Sequence, residues 1–398
     1  MLYRRYGRTE LPIPVITCGG MRYQASWKSD EVDEITDENQ ANLAATIQRA
    51  VDLGITHIET ARGYGTSEIQ IGRVLGSGQV DRDKIILQTK LPPTDTGEEW
   101  LKCFEESIER LQTDRIDLLA VHGINNSETF QKTIAPGGPL DVAEQLKRQG
   151  RAKHIGFSTH GPTDILLDAV KTGRFDYMNL HWYWIFQDNW PAIIEARRRD
   201  MGVFIISPCD KGGKLYEPPA KLLELCQPLH PMVFNDCWCL LRGEVQTLSI
   251  GASRPTDFDE HMEAVERLGR AETIGLVHQI EQRLNASAAE TLGADWWANW
   301  QTGLPPWQAT PGQVNLRVIL MLWNLAKVFG MIDYAKMRYN LLGNGGHWFP
   351  GARLGETNPA DLANALGRSP YRDRILDIVA EAHEMLKAEE TKRLQEDG

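Results

Sequence analysis

The chain has 398 residues, of which 42% are hydrophobic and 24% are charged, with a net charge of -11 and six cysteines. This composition is typical of a globular protein with room for one large barrel and an appendage, and it excludes a disordered chain or a disulfide scaffold. The negative charge argues against a nucleic-acid partner, because that binding needs basic residues to displace counterions from phosphates. The scattered cysteines are interpreted as reduced thiols.

No segment of the chain is predicted to enter a membrane. The N-terminal sequence MLYRRYGRTELPIP lacks an apolar core of signal-peptide length. The most apolar late stretch, residues 318–323, is far shorter than the run of about 20 residues that spans a bilayer. We therefore expect a cytoplasmic protein without a membrane partner.

Eight short apolar runs are predicted to be β-strands. The runs are PVITCGG (14–20), THIETA (56–61), KIILQTK (84–90), IDLLAVH (116–122), HIGFSTH (154–160), DYMNLHW (176–182), VFIISP (203–208) and TLSIGAS (247–253). Nearly continuous apolar runs are typical of parallel strands that are buried on both faces. Helical periods separate them, such as Leu43, Ile47 and Val51 before Gly54. Repeated βα units of this kind predict a closed (β/α)8 TIM barrel, with an open doubly wound sheet as the alternative.

The pattern changes after residue 270. Strand runs disappear, tryptophans become frequent, and helical stretches such as 318–331 and 375–386 take over. We predict an α/β barrel over residues 1–270 and an all-helical C-terminal extension over residues 271–398. The segment before Pro14 is predicted to form a hairpin across the barrel floor.

Four ionisable residues lie at the ends of three consecutive predicted strands. Glu59 ends the second strand, Tyr64 lies in the following loop, Lys90 ends the third strand and His122 ends the fourth. Each residue alone has a structural explanation, such as a helix cap, a rim charge or a core histidine. In a (β/α)8 barrel, however, the C-terminal strand ends carry the chemistry, so their common level favours a catalytic site.

These residue types suit the reduction of a carbonyl group. The Lys90 ammonium is predicted to lower the pKa of Tyr64, and Glu59 to keep that ammonium charged. His122 is placed to donate a hydrogen bond to the carbonyl oxygen. The hydride must come from a cofactor, because no side chain supplies one.

Two segments are candidates for binding the phosphates of that cofactor. GYGTSE (63–68) is a poor dinucleotide fingerprint, because Glu68 takes the place of the third glycine. GASRPTDFDEHMEA (251–264) is the better candidate, with Arg254 before a helix that is predicted to start near Pro255. A solvated rim charge remains the alternative interpretation of Arg254.

The strand-end motifs, taken in order, resemble those of the aldo-keto reductases. The matching runs are GITHIETARGYGTSEIQIG, QTKL, DLLAVHG, HIGFSTH and SIGASRP, within about residues 1–265. The resemblance implies a barrel that binds NADPH, or NADH as the alternative, without a Rossmann domain and reduces aldehydes or ketones. It makes Tyr64 the general acid, Lys90 its pKa-lowering partner and His122 the residue that orients the carbonyl.

The resemblance also implies a cofactor site on the remaining strand ends. Ser158 and Thr159 match the pair that binds the nicotinamide amide, whereas Ser253 and Arg254 match the adenosine-phosphate loop and Glu260 is placed to meet the adenine. The predicted cofactor contacts are Gly20, Met21, Ser158, Thr159, Asn179, Ser207, Gly251, Ser253, Arg254 and Glu260.

The sequence departs from the family pattern at four positions. Glu59 stands where most members have Asp, and Asn179 stands where many have Gln. Ile206 replaces a tyrosine that stacks on the nicotinamide in many members. Asp257 takes a position that is often basic and contacts the 2'-phosphate, so it bears on the choice between NADPH and NADH.

The C-terminal extension resembles that of a subgroup of predicted oxidoreductases, through YAKMRYNLLGNGGHWFPG (334–351) and EAHEML (381–386). That extension often carries the ferredoxin-like run CxxCxxCxxxCP, and the corresponding ligand positions here are Pro359, Leu362, Ala365 and Ser369. No cysteine follows Cys239. A Cys-ligated iron-sulfur cluster in the extension is therefore excluded, and the extension is predicted to be a lid or an interface for a protein partner or for self-association.

The remaining candidates concern the substrate and other sites. Trp182, Tyr183 and His160 are predicted to line the pocket of a small-molecule carbonyl substrate, with packing of tryptophans beneath the C-terminal extension as the alternative. Cys237 and Cys239 are interpreted as core thiols, and no metal site is predicted. The alternative function is a cofactor-binding redox sensor or interaction subunit with little turnover.

Overall fold

The predicted strands form a closed parallel barrel. The computed structural model of the protein describes residues 1–29, 31–343 and 349–388. Within these residues, eight parallel strands close in the order β10-β3-β4-β5-β6-β7-β8-β9. They are β3 (Ile16–Gly19), β4 (His57–Glu59), β5 (Ile86–Leu91), β6 (Ile116–His122), β7 (Ala152–Ser158), β8 (Tyr177–Leu180), β9 (Gly202–Ile205) and β10 (Thr247–Ile250). The (β/α)8 prediction is confirmed, and the open sheet is wrong.

Helices alternate with these strands and then continue without them. They are α1 (Asp37–Asp52), α2 (Ser67–Gly76), α3 (Gly97–Leu111), α4 (Ser127–Ile134), α5 (Pro139–Arg148), α6 (Thr163–Lys171), α7 (Trp190–Arg198), α8 (Ala220–Cys226), α9 (Pro231–Leu240), α10 (Asp259–Leu268), α11 (Glu272–Leu292), α12 (Ala294–Asn299), α13 (Leu316–Phe329), α14 (Ile332–Asn340) and α15 (Arg372–Leu386). Short 3-10 helices include Gly7–Thr9 and Pro255–Phe258. In the described part of the chain, no helix is long and apolar enough to cross a membrane.

The helices around the barrel follow the apolar stripes of the sequence. In α3, Trp100, Phe104 and Leu111 are buried. The helix begins with a capping box, in which Thr96 and Glu99 satisfy each other's backbone amides. A long amphipathic helix with a strong start signal is thus placed with its apolar face toward the strands.

The N-terminal hairpin lies at the floor of the barrel. Strands β1 (Tyr3–Arg5) and β2 (Pro12–Pro14) pair antiparallel. Between them, the Tyr6 ring packs 5.6 Å from the ring of Tyr177, centroid to centroid. Gly7 has φ +51°, and a Cβ there would lie 2.5 Å from the backbone of Met201. Only glycine fits this close approach, and the predicted floor hairpin is confirmed.

The described residues divide into two compact units. One contains Met1–Gly212 and Asn235–Thr273, and the other contains Gly213–Phe234 and the residues from Ile274 onward. The sequence boundary at residue 270 lies close to the second division. The segment 213–234, by contrast, clusters with the C-terminal residues, and the two-domain boundary itself stays a prediction.

The C-terminal unit is helical, as the sequence predicted. Helix α13 is buried over most of its length, including Ile319, Leu322 and Val328. Within this unit, Trp296 Nε1 donates to Asn324 Oδ1 at 3.0 Å, and Tyr339 Oη lies 2.7 Å from His383 Nδ1. Residues 344–348 of the motif that resembles the subgroup lie outside the described residues.

Candidate active site

Glu59, Tyr64 and Lys90 meet inside the C-terminal end of the barrel. Glu59 ends β4 and pairs in register with Gln88 on β5. Lys90 follows Gln88 by two residues, so its side chain points to the same face of the strand. The Lys90 Nζ contacts Glu59 Oε1, and it lies 2.9 Å from the Thr60 carbonyl and 3.2 Å from the Tyr64 hydroxyl. The predicted convergence of these three residues is therefore present.

The geometry assigns donors and acceptors in this cluster. An ammonium group has three hydrogens and no lone pair, so it donates in every hydrogen bond. Its acceptors here are Glu59, the Thr60 carbonyl and the Tyr64 oxygen. Because the Tyr64 oxygen accepts from Lys90, its own hydrogen is directed elsewhere. The phenol is thus arranged as a proton donor whose conjugate base would lie beside a cation.

Burial shifts the ionisation of both groups. It lowers the pKa of the Lys90 ammonium well below its ordinary value, because the charged form loses its hydration. It also raises the pKa of the Tyr64 phenol above its ordinary value. The lysine alone would lower the pKa of Tyr64, so the direction differs from the sequence prediction: desolvation dominates. Tyr64 therefore keeps its proton at neutral pH.

His122 lies next to the phenol at the end of β6. Its ring centroid is 5.7 Å from that of Tyr64, and the two rings meet edge to face. His122 pairs in register with Ser158, and Ser158 pairs with Asn179 on the next strand. Tyr64, His122, Ser158 and Asn179 therefore follow one another around the mouth of the barrel.

Asn179 is the strongest candidate for contact with a bound cofactor. Its side chain is fully buried, yet neither Oδ1 nor Nδ2 has a hydrogen-bond partner among the described residues. A buried amide without partners costs free energy, about 1–3 kcal/mol for each group. A carboxamide, with one acceptor and two donors, is the complementary group, so the residues present fit a nicotinamide.

The neighbouring residue Thr159 is fixed by the barrel itself. Its amide donates to the Asn179 carbonyl at 3.0 Å, and its hydroxyl donates to the Ile124 carbonyl at 2.7 Å. Ser158 is buried beside it, and its carbonyl accepts the amides of Gly123 and Ile124. The side chain of Ser158 thus remains the better candidate of this pair for direct cofactor contact.

Other predicted cofactor residues lie at the ends of β3, β9 and β10. Gly20 donates its amide to the Glu59 carbonyl at 2.6 Å, and Met21 follows it in a partly exposed position. Ser207, with φ +54°, follows β9. Gly251 is exposed immediately after β10. These positions surround the same mouth as the Tyr64 cluster, and their roles stay predictions.

The loop after β10 carries an internal carboxylate. Asp257 accepts hydrogen bonds from the Ser253 amide and hydroxyl, both at 2.8 Å, and from Arg254 Nε at 2.9 Å. These interactions hold the pKa of Asp257 below its ordinary value, although burial acts in the opposite direction. Glu260 lies exposed in the first turn of α10. Ser253 and Arg254, which are predicted to bind phosphate, therefore already hydrogen-bond to Asp257, a side chain that is negatively charged like a phosphate.

The predicted substrate residues separate into a packing group and a polar group. Trp182 is buried in a stack with Trp190 and Trp238, at centroid distances of 5.1 and 4.3 Å. Trp182 thus packs within the unit that contains the barrel, whereas its contact with substrate and the packing of tryptophans beneath the extension both stay predictions. Tyr183 is also buried, and its hydroxyl donates to the Ile206 carbonyl.

His160 belongs to a hydrogen-bonded chain with two polar neighbours. His160 Nδ1 lies 2.5 Å from His181 Nε2, and His181 Nδ1 lies 2.6 Å from the Tyr183 hydroxyl. Because that hydroxyl donates its single hydrogen to Ile206, His181 must carry its proton on Nδ1. His160 then donates from its own Nδ1 when both rings are neutral.

Sequence reasoning missed two residues of this region. Ser249 Oγ donates to Glu59 Oε2 at 2.9 Å, and Lys211 Nζ lies 3.4 Å from His160 Nδ1. Ser249 and Thr247 alternate along β10, and this two-residue period is the signal that could have placed both inside the barrel. Lys211 lies in an irregular loop, where no periodic signal exists.

The cysteines are all thiols. All six lie within the described residues and are free. Cys237 and Cys239 are buried, in agreement with their interpretation as core residues. Among the described residues, no group of three or more His, Cys, Asp or Glu side chains is arranged to hold a metal ion.

Comparison with known proteins identifies the family. The model of the aldo/keto reductase family matches residues 15–205. The chain is 31% identical over 283 residues to L-galactose dehydrogenase of Arabidopsis thaliana, covering 64% of this chain and 86% of that protein. The chain belongs to the aldo/keto reductase family. An oxidoreductase activity follows from this membership.

Other relatives of this aldo/keto reductase match over shorter segments. An aldo-keto reductase of Mycobacterium sp. strain KMS is 30% identical over 135 residues, covering 33% of this chain and 46% of that one. Morphine 6-dehydrogenase of Pseudomonas putida is 35% identical over 114 residues, which cover 28% and 36% of the two chains. This chain thus spans most of the plant relative but less than half of these two.

Solved structures confirm the fold of this aldo/keto reductase. An aldo-keto reductase of Bacillus halodurans in its holo form has a TM-score of 0.58 at 20% identity, over 71% of this chain and 96% of that one. An aldo-keto reductase of Klebsiella pneumoniae in complex with NADPH has a TM-score of 0.55 at 16% identity, over 70% and 95% of the chains. At such identities the likeness shows the fold alone.

Proposed function

We propose that this aldo/keto reductase is an NADPH-dependent carbonyl reductase in which Tyr64 is the general acid. The observation that carries the proposal is the 3.2 Å contact between the Tyr64 hydroxyl and Lys90 Nζ at the barrel mouth. The reduced nicotinamide supplies the hydride when it is bound. The residues of the chain supply the proton, the orientation of the carbonyl and the electrostatic stabilisation.

Each residue of the cluster has a distinct part in the proposed reaction. Tyr64 donates its proton to the carbonyl oxygen as negative charge develops there. Lys90 stabilises the resulting phenolate across the short, buried contact, where electrostatic interactions are strong. His122 donates a hydrogen bond to the same carbonyl oxygen. Glu59 keeps the lysine charged and correctly placed.

Asn179 and Ser158 are the proposed contacts of the nicotinamide amide. The two unpaired polar atoms of the Asn179 amide support this assignment. At the adenosine end of the proposed cofactor site, Asp257 accepts hydrogen bonds from Ser253 and Arg254. A carboxylate at this position repels a 2'-phosphate but accepts a hydrogen bond from a 2'-hydroxyl. NADH is therefore retained beside NADPH as a proposed cofactor.

The test is the substitution Tyr64→Phe, assayed with a panel of aldehydes, ketones and quinones. We expect the kcat for the best substrate to fall by about 10²- to 10⁴-fold, the usual contribution of general acid catalysis. The dissociation constant of the cofactor should stay the same. Tyr6→Phe is the matched control, because it removes a buried hydroxyl at the barrel floor and should leave turnover unchanged.

Two other results would point away from this function. A Tyr64→Phe variant with most of its activity would refute Tyr64 as the acid. Tight cofactor binding by the unaltered protein without turnover of any carbonyl would favour the alternative, a redox sensor or interaction subunit.

The proposal also covers the setting of the enzyme. We infer a cytoplasmic location and a small-molecule carbonyl substrate. We infer as well a C-terminal extension, of the kind found in the ferredoxin-like subgroup, that serves a protein partner or self-association. The motifs in residues 334–351 and 381–386 support the subgroup.

A further inference from the structure

The carboxylate of Glu59 is held from two sides of the barrel. Oε1 contacts Lys90 on β5, and Oε2 accepts the hydroxyl of Ser249 on β10 at 2.9 Å. The exposed fractions of Glu59 and Ser249 are 2% and 7%. Each carboxylate oxygen therefore has its own partner in a region that solvent barely reaches.

Gly19 opens the path between the serine and the glutamate. Strand β3 lies between β10 and β4, and Gly19 pairs in register with Glu59. A Cβ at this position would lie 2.7 Å from Ser249 Oγ and 3.1 Å from Glu59 Oε2. A side chain at this position would crowd both partners, so the glycine leaves room for the hydrogen bond between them.

We infer that Ser249 is a positioning residue that acts through Glu59 on Lys90. The inference rests on the proposed function. Glutamate has several rotatable bonds, and the serine selects the rotamer in which one oxygen faces the lysine. Without the hydroxyl, Oε2 would be a buried acceptor of negative charge without a partner, and the carboxylate would rotate to recover one.

The charge of Lys90 depends on this arrangement. Among the described residues, the ionisable groups near the lysine are Glu59 and Tyr64, which it contacts, and His57 on β4, with His122 beyond the phenol ring. His57 stays neutral, because burial lowers its pKa to about 3. Glu59 is thus the anion of the set, and its displacement would lower the pKa of the lysine further. Lys90 would then lose its proton at a lower pH, and from that pH upward the Tyr64 phenol would have no cation beside it.

The test compares Ser249→Ala with Thr247→Val in the reduction of benzaldehyde. Both changes remove a buried hydroxyl from β10, but Thr247 bonds to Thr17, at 2.8 Å. We expect Ser249→Ala to lower kcat by about tenfold, the effect of one lost hydrogen bond to a charged group. It should also move the alkaline limb of the kcat-pH profile to lower pH, at an unchanged dissociation constant of NADPH. Thr247→Val should leave the limb in place.

A second variant covers the case in which the alanine substitution prevents folding. Ser249→Cys preserves the size of the side chain but weakens the donor, so it should shift the limb in the same direction by a smaller amount. An unmoved limb in a folded Ser249 variant, or an equal shift in Thr247→Val, would overturn the inference.

A double-substitution cycle tests whether Ser249 acts through Glu59. Glu59→Asp removes one methylene, and we expect the shorter carboxylate to lose its contact with Ser249. In the Glu59→Asp background, Ser249→Ala should have little further effect on kcat. Independent, additive losses would contradict the inference.

Failure of this inference can be told apart from failure of the proposed function. If Tyr64→Phe is inactive while Ser249→Ala behaves as the unaltered enzyme, the positioning role alone is refuted. An active Tyr64→Phe variant refutes the proposed function itself.

Discussion

Lys90 shows how a single residue can be both costly and useful. It is fully buried, and an unpaired charge in that position would be strongly unfavourable. Its three acceptors offset only part of the lost hydration, so the pKa of Lys90 is still lowered. The sequence identified Lys90, Glu59 and Tyr64 from their places at strand ends. It could not predict the raised pKa of Tyr64, because that shift comes from the tertiary burial of the phenol.

The pH dependence of turnover follows from these shifts. Tyr64 stays protonated through the neutral range, whereas the lowered pKa of Lys90 means that its charge is lost as the pH rises. We expect the rate of carbonyl reduction to fall on the alkaline side, with a midpoint below about 10.4, the value of a free lysine. The kcat-pH profile under saturating cofactor measures it. A rate that stays constant up to the pH at which the protein unfolds would contradict a role for the lysine charge.

At the scale of elements, ion pairs and a backbone hydrogen bond to one buried carboxylate connect β6 with its neighbours near the floor of the barrel. Asp117 on β6 contacts Arg82 Nη1 at 2.8 Å and Lys153 Nζ at 2.7 Å. It also accepts the Leu87 amide of β5 at 2.9 Å. The strands themselves were predictable from their apolar runs. These contacts were not, because they join residues about 30 positions apart whose pairing depends on strand register.

Loss of the Asp117 charge should weaken the barrel. Burial disfavours the carboxylate, but Arg82, the Leu87 amide and Lys153 outweigh it and hold the pKa of Asp117 below its ordinary value. The contribution to stability is therefore present above the pKa of the unfolded state and is lost as the pH falls through the folded-state pKa. We expect Asp117→Asn to lower the free energy of unfolding by about 2–4 kcal/mol at pH 7, and by less in acid.

Urea denaturation at neutral and acidic pH measures this loss. Asp114→Asn is the control, because Asp114 lies in the same segment with a side chain that is 85% exposed and should change little. Equal effects of the two substitutions would show that the buried contacts of Asp117 contribute nothing particular.

At the scale of the whole molecule, the proposed cofactor site predicts a link between cofactor binding and stability. The side-chain amide of Asn179 has no hydrogen-bond partner among the described residues, and the proposed contact with a nicotinamide would relieve the cost of burying it. A ligand that binds only the folded state stabilises it by about 2.7 kcal/mol at 100 times its dissociation constant. The carboxylate of Asp257, which engages Ser253 and Arg254, should reduce the advantage of NADPH over NADH.

We therefore expect both NADPH and NADH to raise the thermal unfolding midpoint. At equal concentration the shift with NADH should be comparable to that with NADPH. Differential scanning fluorimetry measures both shifts, with adenosine monophosphate, which lacks the nicotinamide, as the control ligand. The absence of a shift with either dinucleotide would contradict the cofactor site.

The sequence by itself determined the eight strands, the helical extension and the strand-end positions of Glu59, Tyr64, Lys90 and His122. Apolar periodicity and chain order are local properties, and parallel strands put their C-terminal ends on one side. Only the tertiary structure decided the closure of the barrel and the bond between Ser249 and Glu59, which are 190 residues apart. The tertiary structure also decided that Asp257 hydrogen-bonds to Ser253 and Arg254 and that the pKa of Tyr64 is raised. Each of these depends on packing and desolvation, which arise only when distant parts of the chain are brought together.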